Sequence, residues 1–309
     1  MLATRGGANL GDIFTGFNTA FNKGLGLAKP TISTVAMEVP STTGEENYNW
    51  LGSFPMLREW VGDRVIQSLS RWSFTIKNKN FEMTVKVPGN AIEDDQYGLF
   101  SPLMTEMGRE AAIHPDRLGY DLMKKGFSAT CYDEKPFFSE EHPIDLTPNT
   151  VEPFSNMQAG NGTPWFLIDA SRALRPLVYQ KRRAYRFVSL TAPNDHNVFW
   201  QNEYVYGCDG RSNVGFGLWQ LAFGSKAELN HDNFEAARAA MTKMVGDGGR
   251  KLGITPTHLI CPSELEGAAR RVLKNENRIV IIDNNGVSAP VQVANEWKDA
   301  AEILSTPYL

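Results

Sequence analysis

The residues with the most capacity for chemistry gather between positions 131 and 145. There Cys131, Asp133, Glu134, Ser139, Glu140, His142 and Asp145 supply the residue types of a Cys-His-Asp nucleophilic site. In such a site an imidazole takes the thiol proton and a carboxylate orients the imidazole. No local signature accompanies them: Cys131 has no flanking glycine elbow or oxyanion-forming turn. The five histidines, at 114, 142, 196, 231 and 258, show neither H-E-x-x-H nor H-x-H spacing, and Cys131, Cys208 and Cys261 form no C-x-x-C pair. Glu93-Asp94-Asp95 lacks the oxygen ladder of a calcium loop. Gly24-Leu25-Gly26 opens no nucleotide fingerprint, and Gly246-Asp247-Gly248-Gly249-Arg250-Lys251 lacks a G-K-[ST] ending. The expectation is a chain with no catalytic residue, no metal site and no cofactor, its cysteines reduced thiols.

One local cationic concentration stands out: Lys181, Arg182 and Arg183, with Arg172, Arg175 and Arg186 nearby and Tyr179 and Tyr185 interleaved. These are either strand side chains facing solvent or carboxylates, or a patch that touches nucleic-acid phosphates without reading sequence. A formal net charge of -4 makes any such contact local. No uncharged apolar run is long enough to cross a bilayer and residues 1–26 lack a secretory apolar core, so the expectation is cytoplasmic synthesis with no membrane partner.

The elements that position these residues are legible in part. With 309 residues and 42% hydrophobic content the chain can bury a sizeable core. Residues 1–44 read as an extended arm with one helix, in which Ile13, Phe14, Phe17, Phe21 and Leu25 recur at three- and four-residue spacing. That aromatic face packs either on its own chain or on another subunit. Tyr48, Trp50, Phe54 and Trp60 stand among turn residues, a composition that favours interfaces. Alternation over 72–77 and 81–88, about Asn78, predicts a β-hairpin. A helical rhythm runs from Gly98 to Phe127, with Pro115 expected to kink or restart it.

Residues 131–162, rich in proline, read as an ordered surface loop. Strand-like runs follow at 165–169, 177–180 and 185–190, then a hairpin over 203–221 turning at Asp209-Gly210. A helix should open at Asp232, boxed by Glu235, and stop at Gly246, and another should run from Ser263 to Lys274. Apolar strands at 257–262 and 278–283 complete a mixed α+β chain without internal repeats.

Several stretches together resemble the major head subunit of Mu-like transposable phages and prophages. They are Tyr48-Asn-Trp-Leu-Gly, Arg58-Glu-Trp-Val-Gly-Asp-Arg, Asn78-Lys-Asn-Phe-Glu-Met-Thr-Val, Ile92-Glu-Asp-Asp and Lys135-Pro-Phe-Phe-Ser-Glu-Glu-His-Pro. Trp165-Phe-Leu-Ile-Asp, Pro176-Leu, Gly215-Phe-Gly-Leu-Trp-Gln-Leu-Ala, Asn295-Glu-Trp-Lys and Pro307-Tyr-Leu continue the series in consistent order to the C-terminus.

The resemblance implies the Hong Kong 97-type capsid fold. On that plan residues 1–44 are an N-terminal arm, 45–82 the E-loop, 83–164 a peripheral domain with its spine helix at 98–127, and 165–309 an axial α/β domain with interleaved peripheral strands. It further implies a major capsid protein that self-assembles, as hexamers and pentamers, into the icosahedral head shell of a tailed double-stranded DNA bacteriophage. The place implied is the virion capsid, assembled in the bacterial cytoplasm. A scaffolding protein, a maturation protease, a portal and packaged DNA without sequence specificity are the implied partners. In this frame Phe14, Phe17, Phe21, Trp50, Phe54 and Trp60 are expected at subunit interfaces, and Lys181, Arg182 and Arg183 at a lumenal DNA contact. Some relatives carry an N-terminal scaffolding segment or a covalent crosslink; here no long charged helical leader and no crosslinking motif stands out. A cellular nanocompartment shell of the same fold and a cysteine hydrolase are the alternatives.

Overall fold

Helices form where apolar residues recur every three or four positions. The structure, a computed structural model, describes residues 4–5, 8–49, 51, 74–94, 96–147, 150–284 and 287–309. Its helices are α1 (Leu10–Leu27), α2 (Ile32–Val35), α3 (Gly89–Glu93), α4 (Ser101–Lys125), α5 (His196–Gln201), α6 (His231–Thr242) and α7 (Glu266–Leu273). Pro102 lies in the first turn of α4, where its missing N–H costs nothing, and Lys124 and Lys125 complement the dipole at its end. Pro115 lies inside α4 and is buried, and the helix runs through it as one element, so it does not restart there. Packing of Met107, Ala111, Tyr120 and Met123 on both sides of the proline outweighs the lost hydrogen bond.

Two sheets carry the chain. The first has four strands, in the order Ala36–Pro40, Leu177–Leu190, Glu203–Phe216 and Lys79–Pro88, with the first pair parallel and the others antiparallel. Its two central strands have 14 residues each, roughly 45 Å of extended chain, and α4 lies along them as a rod of roughly 37 Å. The second sheet has five strands in the order Glu302–Thr306, His258–Pro262, Trp165–Ile168, Ala222–Ser225 and Met157–Gln158. All four residues of Trp165–Ile168 are buried, as a strand covered on both faces requires.

The buried residues fall into two clusters. The larger centres on the second sheet, α6, α7 and the 131–146 stretch. The smaller lies between α1, α4 and the outer end of the first sheet, where Tyr204, Tyr206 and Cys208 alternate inward from their strand to meet Phe17, Phe21, Met104 and Met107. Glycine makes the crossing of α1 and α4 possible. A Cβ at Gly24 would stand 1.9 Å from the Thr105 carbonyl oxygen, and one at Gly108 would stand 2.0 Å from that of Phe21. Asp116 of α4 accepts from the Thr31 N–H at 2.8 Å and from the Ile32 N–H at 2.7 Å, fixing the start of α2.

Five further readings change. Thr75–Lys77 pairs with Glu45–Asn47, and Lys79–Pro88 joins the four-stranded sheet, so the two runs about Asn78 do not pair with each other. Asp209-Gly210 lies inside one continuous strand instead of turning a hairpin. The ring of Tyr185 lies 2.7 Å from where a Gly210 Cβ would be, and Asp209 faces Arg183 and Arg186 across the strands. Asn230 caps α6, its side chain accepting from the Asn233 N–H at 2.9 Å, in place of Asp232. The 131–162 stretch is only partly surface: Tyr132, Phe137, Phe138, His142 and Asn156 are buried, while 150–153 and 159–162 are exposed. Asn277–Asn284 pairs only with Val287–Ala294 among the described residues, as a hairpin apart from both larger sheets.

Candidate assembly surfaces

Cys131, Asp133 and His142 do meet, in the interior. Among the described residues they form the one group whose ligand-type atoms lie within 4.8 Å of one another. The Cys131 thiol donates to Asp133 Oδ1 at 3.0 Å, and Asp133 Oδ2 contacts His142 Nδ1 at 2.6 Å. His142 Nε2 faces the Phe137 carbonyl at 3.3 Å and Asn156 Oδ1 at 3.2 Å. The Asn156 amide is oriented by the Ser139 N–H on its oxygen and by the Phe137 carbonyl on its nitrogen. Trp219 covers the ring face, its centroid 3.9 Å from that of the imidazole.

This arrangement does not activate a nucleophile. Burial, then the neighbouring Asp133 charge, push the Cys131 thiol well above its ordinary range, and the thiol points at the carboxylate instead of the imidazole. Burial also pushes the Asp133 carboxyl up. His142, by hydrogen bond and charge, with Cys131 and the Lys135 N–H, outweighs it and holds that carboxyl below its ordinary value. The 2.6 Å spacing of His142 and Asp133 is a hydrogen-bond length, whereas two ligands held about 2.0–2.1 Å from one zinc ion stand roughly 3 Å or more apart. The cluster is a structural pin between the 131–146 stretch and Trp219.

The cationic run is similarly engaged within the chain. Lys181 reaches Glu38 at 3.1 Å, Arg182 donates to the Ser41 carbonyl at 3.2 Å, and Arg183 and Arg186 share Asp209, Arg186 at 2.9 Å. Three of these four cations thus meet two carboxylates, Glu38 and Asp209, and Arg182 meets a carbonyl oxygen, so their charge is partly compensated.

The aromatic face of the arm helix turns inward. Phe17 and Phe21 are each 1% exposed, Phe17 meeting Tyr206 edge-on and Phe21 meeting Phe187, so their rings present no free face to a neighbour. Phe14 is half-buried beside Phe187. The physical reason is the glycine crossing, which brings α1 close enough to α4 to close a core over the sheet. Trp50, Phe54 and Trp60 lie outside the described residues. The described residues that flank their segment pair with each other, Glu45–Asn47 with Thr75–Lys77. Tyr48 Oη donates to the fully buried Gln180 Oε1 at 2.9 Å, and Gln180 Nε2 donates to the Ile76 carbonyl at 3.1 Å, so this strand pair is tied to the first sheet.

Two exposed apolar features escaped the sequence reading. Phe199 and Trp200 on α5 are 69% and 72% exposed, and Ile279 and Ile281 on the Asn277–Asn284 hairpin are 74% and 72% exposed. The signal available for α5 was two adjacent aromatics in a short polar connector, 191–202. Large side chains in the open commonly mark protein contact surfaces.

Comparison with known proteins covers nearly the whole chain. The family model described as the Mu-like prophage major head subunit gpT matches residues 10–309. The major capsid protein of Escherichia phage Mu is 38% identical over 308 residues, 98% of each chain. The Mu-like prophage FluMu major head subunit of Haemophilus influenzae is 37% identical over 282 residues, 88% of this chain and 92% of that one. A chain of the bacteriophage JBD30 procapsid superposes with a TM-score of 0.83 at 40% identity, covering 97% of this chain and 98% of that one. One from the JBD30 capsid gives 0.73 at 31% identity over 91% of each. The mixed helix and strand architecture is thus the Hong Kong 97-type phage capsid fold. The chain belongs to the Mu-like major head subunit family.

Proposed function

We propose that this chain is the major capsid protein of a tailed double-stranded DNA bacteriophage and forms, by self-association, the icosahedral head shell that encloses the genome. One observation carries this reading: the fold agrees over 97% of the chain with a procapsid subunit at a TM-score of 0.83. A shell protein works through repeated contacts between copies, each modest, whose sum holds the closed particle. Hexamers and pentamers are the assembly units of this reading. No chemical step is assigned to the chain, in keeping with the buried, inactivated setting of Cys131.

The finer account is as follows. The chain acts in the virion capsid and is assembled in the host cytoplasm, with a scaffolding protein, a maturation protease and a portal as partners. Residues 1–44 act as the arm, 45–82 as the E-loop with Trp50, Phe54 and Trp60 as contacts to neighbours, and 83–164 as the peripheral domain. Residues 165–309 supply the axial domain together with interleaved peripheral strands. Any DNA contact by Lys181, Arg182 and Arg183 is a weak one, since each is already engaged within the chain. Charge reversal at all three is expected to leave DNA retention nearly unchanged.

The test is nuclease treatment of particles purified from producing cells, followed by extraction. Protected double-stranded DNA is the expected content. Particles filled with protein cargo would point to a nanocompartment instead.

A further inference from the structure

We propose that Phe199 and Trp200 on α5 form a contact surface for a second copy of this chain; the inference rests on the shell reading above. The surface is built, not incidental. α5 connects the two 14-residue strands of the first sheet, and Asn197 Nδ2 pins it to both, donating to the Leu190 carbonyl at 3.1 Å and the Glu203 carbonyl at 2.7 Å. Asp195 Oδ2 accepts from the Ala192 N–H at 2.8 Å before the helix, and Asn202 closes it in the left-handed region at φ 51°. Val198 enters the smaller core, which fixes the rotation of α5 and leaves its two aromatic neighbours outside. They meet edge-on at 5.2 Å. Aromatic side chains held this way lose little conformational freedom on binding.

The size and chemistry of the patch point to its occupant. At roughly 150–250 Å² per aromatic side chain and exposures of 69% and 72%, the exposed area is on the order of 300 Å². That is about a third of the roughly 800 Å² that each partner contributes to a standard stable interface. Such a patch is too small to hold a soluble dimer alone, and it suits one of several simultaneous contacts in a closed shell. Residues 191–202 contain no lysine or arginine, so the surface does not suit phosphates. Lys86, on the same sheet, is paired with Glu203 at 2.8 Å. The abundant apolar partner beside a shell subunit is another subunit.

Acrylamide quenching of tryptophan fluorescence tests this on intact particles and on folded subunits released from them. Trp165 and Trp219 are buried in the chain, and Trp200 stands exposed. The Trp200 contribution is read as the difference between wild type and W200F, which cancels the other six tryptophans; the expected result is that this difference is readily quenched in released subunits and protected several-fold in intact particles. Equal quenching in particles and released subunits overturns the proposal, as does protection seen only in particles that carry a different protein over the patch. As a second measurement, the F199A/W200A variant should lower particle yield at least tenfold while its released subunits melt within a few degrees of wild type. Wild-type yield and heat stability from that variant would sink the contact surface and leave the shell reading standing. Failure of the wild-type chain to form particles would overturn the shell reading, and this inference with it.

Discussion

At the scale of single residues, His142 and Asp133 form a buried pair whose members depend on each other. Replacing His142 with Ala leaves the Asp133 carboxylate only the Cys131 thiol and the Lys135 N–H, so H142A should lose about 1–3 kcal/mol of stability in denaturant titration. All three cysteines are buried, Cys208 and Cys261 with thiols pushed up to about 11 by burial, and Cys131 higher still. None should react with a thiol reagent in minutes in the native protein, and all three should react once it is unfolded. His114 Nδ1 of α4 shares a 2.7 Å hydrogen bond with Tyr185 Oη, and burial, then the Arg117 charge, hold its pKa below the ordinary 6.5. Between that folded value and 6.5 the unfolded chain binds the extra proton more readily. The stability present at neutral pH is therefore lost as pH falls below 6.5. His231 and His258 are lowered too and add in the same sense. H114Q should make the decline in melting temperature of the unassembled protein shallower between pH 7 and 5.5. The sequence placed Cys131, Asp133 and His142 close together because they are neighbours in the chain. Their burial was not legible, because Trp219, which stacks on the imidazole, comes from a distant segment.

At the scale of elements, the crossing of α1 and α4 sets the shape of the smaller core. G108A would drive a methyl group into the Phe21 carbonyl, and the expected loss is about 1–3 kcal/mol by urea unfolding. Gly16, on the open face of α1, has nothing within 4 Å of a Cβ, so G16A should gain about 0.5–1 kcal/mol through helix propensity. Equal effects of the two substitutions would contradict the close crossing. The periodic elements were the legible ones: α1, α4, α6, α7 and the strands Trp165–Ile168 and His258–Pro262 lie where three-and-four or continuous apolar patterns put them. Pairing was not. The runs on either side of Asn78 look like a hairpin locally, but each finds a longer-range partner, and Asp209-Gly210 resembles a turn only until Tyr185 is seen to need the space over glycine. The inward turn of Phe17 and Phe21 depended on Gly24 and Gly108, whose role shows only when the helices meet.

At the scale of the whole molecule, two buried cores coexist with exposed aromatic and aliphatic side chains at α5 and on the Asn277–Asn284 hairpin. Those features make sense in a particle where copies cover one another. The family resemblance was legible from motifs spread across the chain, while the exposed contact candidates were not, because exposure is a property of the folded surface. Negative-stain electron microscopy of the native assembly purified from producing cells tests the central claim most directly. Closed icosahedral particles, dissociating on gentle disruption into uniform smaller units, are the predicted result. A uniformly small soluble species across varied salt, with no shells at any stage of purification, would contradict it.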